Sequence, residues 1–166
     1  MKYLLVAFGV VARVLPHAWN FAPLGGIGLY AGAYFRPRIA FAVPLAALLI
    51  GDLFLGFYGL TEMAFTYLGL LAGPVVGRLL LARRRSVPRF GAAVVVAATA
   101  HFVVSNIGAW LTLYPKTWQG LVDCYVLALP FFRTTLISDV IFAAALIGGH
   151  ELVKRWRSET PAQARA

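Results

Sequence analysis

The sequence predicts an all-α, polytopic membrane protein: a compact bundle of about six transmembrane helices over residues 1–157, with a short polar tail, 158–166. Three observations lead there. Of 166 residues, 61% are apolar and 13% charged, with mean hydropathy +0.80, whereas soluble domains run nearer half apolar and a quarter charged. Lipid solvates such an apolar exterior directly; a soluble fold of this size has too little polar surface to cover it. At about 20 residues per crossing, six crossings consume most of the chain, leaving short loops and no room for a soluble catalytic domain. Finally, the basic residues gather in alternate turns.

Taken in order, the apolar segments are residues 2–15, 21–35, 39–58, 63–82, 90–113 and 121–150. The first follows Lys2 like a signal peptide. It lacks a small-x-small cleavage site and another apolar run follows at once, so it reads as a membrane helix. It ends at "LPHAWN", a polar-aromatic interruption. The second segment ends at Arg36-Pro37-Arg38, the third at "GLTE" and the fourth at "RRRSVPR". The first two are short for a hydrocarbon core about 30 Å thick, so either flanking residues extend them or they pack within the bundle. Pro130 is expected to kink or break the last segment, leaving a short helix over 121–129.

Six crossings with a cytoplasmic N-terminus place Lys2, Arg36, Arg38, Arg78, Arg83, Arg84, Arg85, Arg89, Lys154, Arg155, Arg157 and Arg165 inside. Only Arg13, Lys116 and Arg133 remain in the outer half. By the positive-inside rule both termini are cytoplasmic, and the net charge of +9 is a topology signal and an anionic-lipid contact rather than a nucleic-acid surface. The outer turns are richer in His, Trp, Tyr, Asn and acids, as either a ligand-collecting face or an interfacial aromatic belt would be.

Gly28 and Gly32, and Gly69, Gly73 and Gly77, recur four apart and allow close helix approach; Ala7, Gly9 and Ala12 offer a similar surface on the first segment. Ionisable groups inside apolar segments cost about 2.5–3.5 kcal/mol each at a helix centre. Here they are Asp52, His101, Arg133 and Asp139, with Arg13 and Arg78 nearer segment ends. An Asp52–Arg133 pair would make a charged floor to an outward cavity, or simply hold helices together. Asp139 is open to a capping role, a pairing with Arg78, or a mechanical role. His101 reads as a hydrogen-bonded core residue. Cys124 is either an inert small residue or a soft ligand to a substrate's metal centre, a job open to His17 as well. As the only cysteine it forms no intrachain disulfide. No nucleophile elbow, HExxH or Walker sequence is present, so no catalytic set, resident metal or cofactor is expected.

The stretches "LPHAWNFAPLGGIGLYAGAYF", "GDLFLGF", "SNIGAWL" and "YPKTWQGLVDCYVLALPFFRTTLISD" resemble a bacterial family of small, uncharacterised membrane proteins ascribed to transport. That family in turn is similar to the substrate-binding S components of energy-coupling-factor vitamin transporters. The resemblance implies a six-helix S-component-like bundle in the inner membrane that binds a vitamin-like ligand from outside. It also implies an energy-coupling module, a transmembrane subunit plus ATPases, docked on a small-residue face of the first helix. The matching positions are His17, Trp19, Asn20 and Phe21 in the first outer loop, then Asp52, Asn106, Trp110, Tyr114, Lys116, Trp118, Cys124, Tyr125 and Arg133.

The function expected is capture of a small water-soluble ligand, a vitamin or vitamin precursor such as a corrinoid, for uptake without enzymatic chemistry. A structural or assembly subunit of a larger membrane complex is the alternative. A small membrane enzyme using His17, Asp52 or Cys124 is a weaker one.

Overall fold

In a computed structural model, residues 1–16 and 20–159 are described, and every regular element among them is helical. The order is α1 (Lys2–Val14), α2 (Leu24–Tyr34), α3 (Pro37–Leu55), α4 (Leu60–Leu70), α5 (Ala72–Val76), α6 (Val87–Leu113) and α7 (Trp118–Glu159). A wider π-type turn, Gly77–Leu81, prolongs α5. Four stretches are long and apolar enough to cross a membrane: Pro37–Leu55, Leu60–Leu81, Val87–Leu113 and Trp118–Ser158. The third and fourth expected segments therefore start two and three residues early, and the last starts at Trp118.

Two prolines act differently. Pro74 has no N–H for the Leu70 carbonyl and its ring crowds that group. The helix tightens just before it, where the Leu71 N–H bonds the Leu68 carbonyl at 3.1 Å, which separates α4 from α5. Pro130 was expected to break the last segment, but α7 runs unbroken through it. Just beyond it Thr134 donates to the Pro130 carbonyl at 3.2 Å and Thr135 to that of Phe131 at 3.0 Å.

The shortness of α2 comes from burial. Nine of its eleven residues are buried, and Ile27, Leu29, Tyr30 and Ala31 have no exposed surface, so it is the axis of the bundle. Its two glycines pack against the α5 stretch, Gly28 on Gly73 and Gly32 on Pro74, while Gly77 approaches Leu29 and Gly69 packs on His101. A methyl on Gly28 would sit 3.1 Å from Pro74 Cδ and 3.3 Å from Gly73 Cα, while one on Gly32 would overlap the Pro74 carbonyl. The small-residue surface of α1 is likewise used inside the chain. A methyl on Gly9 would lie 2.9 Å from Ala47 Cβ of α3, and the outward face of α1 carries Tyr3, Leu4, Phe8 and Val11.

One end of the bundle gathers the basic turns. Arg85 pairs with Glu151 at 3.0 Å and lies 4.3 Å over the Tyr34 ring. Tyr34 stacks on His150 at 4.0 Å and donates to Glu151, and the Tyr30 hydroxyl meets His150 Nδ1 at 2.7 Å. Arg78 donates to the Phe35 carbonyl at 3.3 Å rather than pairing with Asp139. These bonds fix the C-terminus of α2 at the basic end. Its N-terminus stops beside Asp139, near the midpoint of α7. Because α2 fills only the basic half of the bundle, the other half has no central helix.

Candidate functional site

The space beyond the α2 N-terminus is a cleft of two joined chambers. The inner one, of about 140 Å³, is lined by Arg13, Leu24, Gly25, Leu70, Ala97 and Asp139 among others. The outer one, of about 650 Å³, is lined by Tyr58, Glu62, Phe102, Ser105, Asn106, Phe131 and Phe132 among others. Asn20, Thr66, His101 and Thr135 line both and form the neck.

Helical spacing builds the walls. Glu62, Thr66, Leu70 and Gly73 recur along α4 and α5, His101, Ser105 and Ala109 along α6, and Ala128, Phe132, Thr135 and Asp139 along α7. Each set follows three- and four-residue steps and so faces one way. The fourth wall is the chain entering α2. Asn20 takes φ 60°, a left-handed conformation that asparagine tolerates better than most residues. Ser138 anchors that segment by donating to the Ala22 carbonyl at 2.7 Å.

Two ionic arrangements support the inner chamber. Asp52, almost fully buried, pairs with Arg13 and accepts the Tyr67 hydroxyl at 2.8 Å. The expected Asp52–Arg133 pair does not form: Arg133 is exposed on another face of α7. The reason is the parallel packing of α1 on α3. Gly9 lies against Ala47, and four residues further on in both helices Arg13 lies against Gly51, beside Asp52. Asp139 takes the capping role among the three left open. Its carboxylate lies against Gly25 in the first turn of α2, where a negative charge is favourable.

His101 is largely enclosed and packs against Gly69, yet its Nδ1 is buried without a hydrogen-bond partner. That nitrogen is turned toward the Gly69 backbone, as in a histidine packed within the core. At the mouth, partial burial first of all raises the Tyr58 phenol above its ordinary pKa.

Of the residues singled out in the sequence, Asn20 and Asn106 line the cleft, and Asp52 sits behind its floor through Arg13. His17 and Trp19 lie outside the described residues. Trp110, Trp118 and Tyr125 line a separate apolar groove between α6 and α7, so they do not wall the cleft as expected. Lys116 donates to the Trp110 and Tyr114 carbonyls at 2.8 and 3.0 Å, closing the end of α6. Cys124 is buried between α6 and α7 with Sγ 3.5 Å from the Asn106 carbonyl and does not face the cleft.

The sequence marked Arg13, His101 and Asp139 as ionisable groups in apolar segments without assigning them to the site, and it left Thr66, Thr135, Glu62 and the phenylalanines unmarked. The polar stripe Glu62–Thr66 and the step from His101 to Ser105, each four residues, were the available signals.

Neither a curated protein nor a solved structure matches this chain. The sequence profile of a family of unknown function, DUF6580, matches residues 1–162. The chain belongs to that family.

Proposed function

We propose that this protein is a membrane transport component that captures a small water-soluble ligand, a vitamin or vitamin precursor, in the two-chamber cleft for uptake. The single observation that carries the reading is the cleft itself, a polar-necked space in an apolar bundle that opens away from the basic end. Its size falls in the range of small-molecule sites, and it combines apolar walls with a few convergent polar groups. With the basic end cytoplasmic, the cleft faces outward from a bacterial inner membrane and both termini face inward. In this reading α1 and α2 complete six crossings, with α2 serving as the inner half of one. An energy-coupling module would dock on the large apolar side chains of α1, since Gly9 is taken up by α3. Cys124 is not placed to ligate a corrinoid.

The cleft favours capture over the structural-subunit reading, which a fully packed interior would support. Mass spectrometry of ligand co-purified in mild detergent tests the proposal, with Thr135→Phe as the variant that fills the neck. A bound small molecule lost in Thr135→Phe is expected. No ligand across a vitamin panel, with both proteins equally stable, would contradict it.

A further inference from the structure

The charges around the cleft are lopsided. Arg13 is the one described cation lining either chamber, and Asp52 neutralises it. Its buried Nε is turned against Gly51. Lys116 is held on backbone carbonyls and Arg133 lies outside the lining. The α2 N-terminus, which would otherwise attract an anion, is already occupied by the Asp139 carboxylate against Gly25. What lines the cleft without a cationic side chain beside it is the Glu62 carboxylate, folded back toward Gly59 at the first turn of α4. The His101 ring lines the neck together with Thr66 and Thr135, its Nδ1 turned toward Gly69. The outer walls are the rings of Tyr58, Phe102, Phe131 and Phe132, whose faces attract cations.

We infer that the ligand is a small organic cation on a flat apolar body, its charge held in the outer chamber by Glu62 and the aromatic rings and its hydrogen-bonding end at the His101 neck. This rests on the ligand-capture reading above. An anion would meet Glu62 and Asp139 with no free positive partner, and desolvating it there would be uncompensated.

A matched series separates charge from shape: tyramine, the neutral alcohol tyrosol, and the anion 4-hydroxyphenylacetate share one ring. Binding is measured by calorimetry on the full chain in detergent at low salt. Tyramine should bind roughly tenfold more tightly than tyrosol, the worth of one charge-assisted hydrogen bond, and the anion should be weakest. Glu62→Gln should lower tyramine affinity about tenfold, toward that of tyrosol, and so erase the preference; Glu62 is at the cleft mouth, so folding should survive. Equal binding of all three, preference for the anion, or an unaltered preference in Glu62→Gln would overturn the cation assignment while leaving ligand capture standing. No binding of any of the three would overturn the assignment too. If no co-purified ligand were found either, the capture reading would fall with it.

Discussion

Arg13→Met is the sharpest test of how the cleft is supported. Asp52 has a side-chain exposure of 1% and Arg13 of 22%, so the two ends of the pair are not equivalent. Removing the arginine leaves a buried carboxylate with only the Tyr67 hydroxyl. Losing one partner of a buried pair typically costs about 3–5 kcal/mol. For a chain of this size about 1 kcal/mol shifts Tm by roughly 2–4 °C, so Arg13→Met should lower Tm by at least about 6 °C. Asp52→Asn should cost less, because the amide still accepts from Tyr67 and the freed guanidinium borders the inner chamber. The double variant should recover part of the loss, with a coupling of about 1–3 kcal/mol in the cycle. Arg133→Met should change Tm little. Differential scanning fluorimetry in one detergent reads all four. A coupling near zero, or Arg133→Met as damaging as Arg13→Met, would refute the Arg13–Asp52 assignment.

Two other outcomes follow from packing. Gly32→Ala drives a methyl into the Pro74 carbonyl and should cost about 1–3 kcal/mol. Gly148→Ala meets open space within a helix and should be neutral or stabilising by up to about 1 kcal/mol. Both are read as Tm shifts, and equal effects would contradict the α2–α5 packing. Cys124, buried and against the Asn106 carbonyl, should resist a water-soluble maleimide in the folded protein and react once denatured. Rapid labelling of the folded protein would mean the thiol is open to water.

Much of the architecture was legible because it is written in local terms. Apolar composition and basic turns implied a helical membrane bundle, and glycines four apart marked α2 and the α5 stretch as surfaces of close approach. That those two surfaces face each other is a tertiary fact no single segment encodes. The depth of α2 was open for the same reason: a short apolar helix is equally consistent with extension by its flanks and with burial, and its nine buried residues select the second. The cleft depends on that depth. The Arg13–Asp52 pair left a faint trace, since Gly9 and Arg13 share the spacing of Ala47 and Gly51. Choosing Arg133 instead weighed loop-side topology over the parallel α1–α3 contact. Aromatic residues near the outer loops drew attention to Trp110, Trp118 and Tyr125, which line the α6–α7 groove instead. Thr66 and Thr135, which form the neck, look like ordinary helix residues until the walls are assembled.

The central claim is an outward-opening cleft at the end opposite the basic turns, and thiol labelling in intact cells tests it most directly. In a Cys124→Ala background, Ser105→Cys on the cleft wall and Arg155→Cys at the basic end would each be exposed to a membrane-impermeant maleimide. The account predicts labelling of Ser105→Cys from outside and of Arg155→Cys only after permeabilisation. The reverse pattern, or no labelling of Ser105→Cys under either condition, would contradict it.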